Sequence, residues 1–152
     1  MNPVTLKQEK KDFMVNGNSD GVAASELRVL IVEDNADAAW IMGRLLGALA
    51  TMQVESVPDG PAALEKLGVF RPHMVLLDIG LPRMDGFQVA RKIREQSEYD
   101  DLLLVALTGY GQAEDRRKSA EAGFDVHLLK PAGVEELKSL LVHPKLASQG
   151  HA

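Results

Sequence analysis

His73-Met74-Val75-Leu76-Leu77-Asp78-Ile79-Gly80-Leu81-Pro82 is the stretch on which the reading of this chain turns. A short, near-continuous apolar run meets one carboxylate, and Gly80 and Pro82 then turn the backbone. An apolar run of that length between turn residues reads as a strand buried on both faces, as in a parallel sheet. In open α/β sheets the crevice outside the carboxyl ends of the strands is where ligands bind. Asp78 is therefore expected at the mouth of a central strand. Its ordinary alternative role is to cap the turn that follows.

Working outward, the same pattern recurs. Upstream, Val29-Leu30-Ile31-Val32 is a β-branched run leading into Glu33-Asp34. Asn35 and Asp37 can cap the next helix, expected over residues 36–50. Its inward stripe reads as Ala38, Ile41, Met42, Leu45, Ala48 and Leu49, with Trp40 and Arg44 on the opposite side. A second strand is expected at 53–57 and a helix at 60–68 with Ala63, Leu64 and Leu67 inward. Downstream of Asp78 come a helix from Asp85-Gly86 to about 96, a strand at 102–107 ending in Thr108-Gly109, and a polar helix at 112–122. A strand at 126–129 ending in Lys130-Pro131 and a helix at 134–142 complete the series. Five β-α alternations with short connections predict an α/β fold, a (βα)5 doubly wound parallel sheet with helices on both faces.

Composition bounds the rest. The 152 residues suit one domain, are 45% hydrophobic, and include no cysteine, which excludes disulfides and thiolate metal sites. No apolar run is long enough to span a membrane and no secretory leader is evident, which fits a cytoplasmic protein. A net charge of −5 without a basic cluster argues against direct binding to nucleic acid. Residues 1–26 are polar and turn-prone and read as a disordered leader, residues 27–143 as the folded domain, and residues 144–152 as a short tail.

The expected strand ends carry Glu33-Asp34, Asp78, Thr108 and Lys130. Each has a plain reading alone: dipole partner, turn cap, strand-end residue, solvated charge. Together, on one sheet edge, they place three carboxylates, a hydroxyl and an ammonium in one crevice. Carboxylates so close repel unless a cation joins them. A hard divalent ion with oxygen ligands meets that need, and Mg²⁺ is usual where carboxylates and a phosphate share it. Lys130 can pair with Asp78 or hold a phosphate, and Thr108 can bond a phosphate oxygen. These groups suit a carboxylate nucleophile that attacks phosphorus.

The segments Val29-Leu30-Ile31-Val32-Glu33-Asp34-Asn35, Asp78-Ile79-Gly80-Leu81-Pro82-Arg83-Met84-Asp85-Gly86, Ala106-Leu107-Thr108-Gly109 and Leu129-Lys130-Pro131 resemble the receiver domains of response regulators, the CheY-like superfamily. The resemblance runs from about Leu27 to Val142. It implies a sheet in the order 2-1-3-4-5. Asp78 then matches the phosphoacceptor and Asp34 the direct Mg²⁺ ligand, with Glu33 acting through water. The Gly80 carbonyl matches a third ligand, Thr108 the switch hydroxyl and Lys130 the phosphate-contacting lysine. The implied donor is a phosphohistidine on a sensor histidine kinase or a histidine phosphotransfer protein. The implied product is a signalling phosphoprotein, with no catalysis beyond its own phosphorylation and dephosphorylation.

Three positions depart from the family pattern. His127 stands where the switch aromatic is usual, and being smaller it weakens the expected coupling to Thr108. Gly80 offers no side chain, and Tyr110 a bulky one, at two positions that tune phosphoryl lifetime. No effector segment is read after Val142, so the output partner is expected to be a protein that docks on the surface around 112–142. A homodimer stays open. Trp40, on the first helix, is expected to contact the sensor kinase or phosphotransfer protein that donates the phosphoryl group. Alternative readings are a receiver excised from a hybrid sensor kinase and an Mg²⁺-dependent aspartyl-phosphate phosphatase. The latter would want a second carboxylate where Gly80 stands. A flavin module is disfavoured, because the acidic loop after the first strand would repel a phosphate.

Overall fold

The computed structural model describes residues 26–109 and 113–147. The leader, Tyr110, the expected helix start at Gln112 and the last five residues lie outside them. Strands β1 (Leu27–Val32), β2 (Met52–Val57), β3 (Met74–Asp78), β4 (Leu103–Thr108) and β5 (Val126–Leu129) alternate with helices. The helices are α1 (Ala36–Leu49), α2 (Gly60–Phe70), α3 (Gly86–Arg94), α4 (Ala113–Ala122), α5 (Val134–Leu141) and α6 (Pro144–Ala147). All strand pairs are parallel, and the sheet order is β2-β1-β3-β4-β5. This is the doubly wound CheY-like fold expected from sequence.

Strand alternation sorts the core into two clusters. Val29, Ile31, Leu76, Val105 and Leu107 face Ala39 and Leu46 of α1, Leu137 and Leu140 of α5, and Leu146 of α6. Leu30, Val32, Val75, Leu77, Leu104 and Ala106 face Ala63 and Leu67 of α2, Val89, Ala90 and Ile93 of α3, and Ala122 of α4. Every residue of β3 and β4 is buried, which is why both read as unbroken apolar runs.

Three expectations need correction. The buried residues of α1 are Ala39, Gly43, Leu46 and Gly47, whereas Ile41 is 52% exposed and Ala48 is exposed. Met42, Leu45 and Leu49 are partly buried, so the true stripe is rotated by about one residue. The stripe read from sequence weighed large side chains, while the helix presents small ones four residues apart, which permit a close approach. Next, α2 does not stop at Gly68. It runs to Phe70, itself 9% exposed, and closes on Arg71 in the left-handed region at φ 53°. Finally, the stretch from Pro144 is not a free tail. Residues Pro144–Ala147 form a helical turn that buries Leu146 completely. Lys145 Nζ ties it down through Asp125 at 2.9 Å and the Asp100 carbonyl at 3.0 Å.

Side-chain bonds fix the loops that border the sheet. Asn35, Asp59 and Asp85 cap α1, α2 and α3 through bonds to Ala38 N, Ala62 N and Gln88 N. Arg94 anchors the opposite end of the sheet, donating to the carbonyls of Gly123, Tyr99 and Leu102 and to Asp125.

Candidate functional site

The sheet ladder continues one residue past the strand ends and places the polar side chains. Glu33 N donates to Val57 O at 3.0 Å, Ile79 N to Leu107 O at 2.9 Å, and Lys130 N to Thr108 O at 2.8 Å. The backbone bonds of three strands therefore aim Glu33, Asp78 and Lys130 at one cleft. Lys130 Nζ bridges Glu33 Oε1 at 3.0 Å and Asp78 Oδ2 at 3.1 Å. Asp78 Oδ1 accepts from Gly80 N at 2.9 Å, and Glu33 Oε2 accepts from Asn35 N at 3.1 Å. Glu33, Asp34 and Asp78 each present an oxygen within 4.8 Å of the others'.

Charge in this cleft is unbalanced. Three carboxylates face one ammonium. Glu33 and Asp78 are buried while Asp34 is exposed. Burial is the largest influence on the Glu33 carboxyl and, with the Asp78 charge, holds its pKa above the ordinary value against the pull of Asn35 N–H and Lys130. Burial pulls the Lys130 ammonium down, but its bonds to Glu33 and Asp78 and their charges outweigh this and raise it. The surplus negative charge and the hard oxygen donors suit a divalent cation with a preference for oxygen.

The open side of the cleft has a volume of about 480 Å³ and is walled by Asp78, Gly80, Phe87, Thr108, Asp115 and Lys130. Thr108 is buried at its rim. Among the described residues, the one atom within 4 Å of a Cβ built at Gly80 is Asp78 Oδ1, at 3.7 Å.

Over residues 29–142 the sequence matches the response regulator receiver domain. The chain belongs to this family. As a receiver domain it is similar to part of the sensor protein EvgS of Escherichia coli, 30% identical over 139 residues. That match takes in 91% of this chain but only 11% of EvgS. The chemotaxis protein CheY4 of Vibrio cholerae superposes with a TM-score of 0.71 at 28% identity, covering 76% of this chain and 96% of that one. The receiver domain of the sensor histidine kinase PA1611 from Pseudomonas aeruginosa superposes at 0.68 with 30% identity, covering 76% and 93%. That structure holds a magnesium ion in its active-site cleft.

The receiver brings together five of the residues expected from sequence: Glu33, Asp34, Asp78, Thr108 and Lys130, with Gly80 beside them. His127 and Trp40 lie elsewhere. His127 pairs with Ala106 across β4 and β5, and its Nδ1 is 3.1 Å from Ser119 Oγ on α4. Ser119 Oγ also lies 2.9 Å from Asp115 O, one turn back on α4. His127 Nε2 is buried with no partner among the described residues. Trp40 is half-buried, with the Arg44 guanidinium carbon 5.3 Å from its ring centroid. Sequence reasoning misses Ser119 as the partner of His127, and it misses the pairing of Arg83 with Asp59. No local signal marks either, because each crosses between separate elements: one from α4 to β5, eight residues on, the other between two loops 24 residues apart.

Among the described residues no helix is long and apolar enough to cross a membrane.

Proposed function

We propose that this receiver domain is the phosphoacceptor of a two-component phosphorelay. Asp78 accepts a phosphoryl group from a phosphohistidine on a sensor histidine kinase or a histidine phosphotransfer protein. A carboxylate oxygen forms the new bond to phosphorus, the P–N bond breaks, and the imidazole leaves with the electron pair. The observation that carries this reading is the bridging of Asp78 and Glu33 by one ammonium, with Asp34 within reach of both.

Asp34, Asp78 and the Gly80 carbonyl would hold Mg²⁺, with Glu33 acting through water, and the cation would offset charge developing on the phosphoryl oxygens. The magnesium in the PA1611 receiver supports that assignment. Lys130 then leaves its resting bridge to pair with a phosphoryl oxygen, and Thr108 donates to another. The chain catalyses only its own phosphorylation and dephosphorylation. The phosphatase alternative is disfavoured, because Gly80 supplies no second carboxylate as general acid.

The test is incubation with acetyl phosphate and Mg²⁺, read by intact mass. The expected result is the gain of one phosphoryl group, absent in Asp78→Asn and absent when the cation is chelated. An unmodified wild-type mass would overturn the reading.

Output passes through protein contact on the face built from α4, β5 and α5. That face combines a helix whose buried residues, among those described, are the small Ser119 and Ala122 with half-exposed apolar side chains, Leu129 at 49% and Val134 at 44%. A helix so lightly anchored can shift at low cost. Beryllofluoride with Mg²⁺, which mimics the phosphoryl group, is expected to change amide exchange in α4 and β5. Unchanged exchange there would count against this surface. Trp40, with the exposed Ile41 beside it, is the proposed contact for the phosphodonor. Because EvgS is far longer than this chain, a receiver within a hybrid sensor kinase is the second reading.

A further inference from the structure

We propose that Arg83 is a positioning residue for the cleft: paired with Asp59, it holds the loop that carries Gly80 and so orients the Asp78 carboxylate for phosphoryl uptake. This rests on the phosphoacceptor reading above.

The observation that singles out Arg83 is its backbone. It sits at φ 68°, in the left-handed region that favours glycine. A residue with a Cβ persists there only where its surroundings over-determine it. What the side chain gains in exchange is plain: its Nη2 pairs with Asp59 Oδ2. Asp59 is itself buried and bonded. It is 8% exposed, and its other oxygen caps α2 by accepting from Ala62 N at 3.0 Å. That capping bond is the main reason its carboxyl stays below the ordinary range, and the Arg83 charge adds to it.

The loop needs such a tie. Residues 79–85 join the end of β3 to the start of α3. Near its start Gly80 N bonds Asp78 Oδ1 at 2.9 Å and Leu81 is buried; after its end Gly86 N bonds Ile79 O at 2.9 Å. Between them Pro82 and Arg83 are exposed, and Met84 N reaches only Pro82 O at 2.7 Å, a bond within the loop. The Arg83–Asp59 pair is the polar tie from this apex to another element. Met84 adds an apolar contact against Gly60, the first residue after Asp59. Releasing the pair frees the apex, and the freed motion reaches Asp78 through the Gly80 N–H.

The experiment uses the full chain in three variants. Arg83→Gly removes the guanidinium while making the left-handed backbone free of strain. Asp59→Asn removes the charge but keeps a side chain that caps a helix. Arg83→Lys keeps the charge. Two quantities are read: exchange of the Gly80 amide without metal or donor, and the rate of phosphoryl uptake from acetyl phosphate with Mg²⁺. Because the Arg83 side chain is 72% exposed and its charge is screened, the expected change is about fivefold, in both Gly80 exchange and uptake rate, for Arg83→Gly and for Asp59→Asn. The double variant should add nothing further, and Arg83→Lys should stay near wild type. Unchanged Gly80 exchange in both single variants would overturn the proposal. So would a change in Arg83→Gly that Asp59→Asn does not share, since the effect would then belong to the backbone and not the pair. A wild-type chain that takes up no phosphoryl group would sink the phosphoacceptor reading instead, and the role of the pair in fixing the loop would still be decided by the Gly80 amide.

Discussion

Lys130→Met should lose both phosphoryl uptake and resting stability, and added Mg²⁺ should offset only the second loss. In the resting domain one ammonium lies 3.0 Å from Glu33 and 3.1 Å from Asp78, whose side chains are only 5% and 10% exposed. Removing the partner of a buried charge costs about 3–5 kcal/mol when the site is fully dry. The Lys130 side chain is 34% exposed, so solvent screening reduces the expected cost to about 1–2 kcal/mol. A divalent cation can take the place of the missing ammonium, so added Mg²⁺ should raise the melting temperature of the variant more than that of wild type. Uptake should not recover. Loss of a fixed charge that meets developing negative charge typically costs about 10²–10³-fold in rate. Melting curves with and without Mg²⁺, beside uptake rates from acetyl phosphate, check both halves. Equal Mg²⁺ stabilisation of variant and wild type would show that Lys130 does not neutralise these carboxylates.

Gly86→Ala should be nearly as damaging, for a reason of space. A Cβ at Gly86 would stand 2.7 Å from Ile79 Cα and 2.9 Å from the Asp78 carbonyl oxygen. Both are backbone atoms at the very end of β3, so no side chain can swing aside. Gly86 N also donates to Ile79 O at 2.9 Å, which holds the start of α3 against that strand end. Added bulk in such a site costs about 1–3 kcal/mol. Here the displaced atoms are those that carry Asp78, so uptake should fall even at temperatures where the variant is fully folded. A variant that melts early but takes up phosphoryl groups at the wild-type rate would show that the strand end can yield without moving the carboxylate.

The contrast between these residues and others shows what a sequence makes legible. β3 and β4 stand out because both of their faces are buried, which leaves an apolar run with no polar alternation to confuse it. Asp78 and Thr108 are legible for the same reason: each is the last residue of such a run. Lys130 instead follows β5, a short strand that is only partly buried, and a parallel sheet brings all three ends to one edge. The phase of α1 was misread because Gly43 and Gly47 carry no hydrophobic signal yet are buried. Gly68 reads as a helix stop, but burial of Phe70 carries α2 past it. A single leucine at 146 gives no periodicity, although its burial folds the last turn onto the domain. Arg83 with Asp59 and Ser119 with His127 were invisible, since side chains crossing between loops and elements leave no pattern along the chain.

The central claim is that phosphorus arrives at one aspartyl oxygen and nowhere else. The most direct measurement is borohydride reduction of the chain after exposure to acetyl phosphate and Mg²⁺, followed by peptide mass mapping, because reduction turns an aspartyl phosphate into homoserine. The predicted result is homoserine at position 78 alone. Homoserine at position 34, or intact aspartate at every position in a chain that had gained phosphoryl mass, would contradict it.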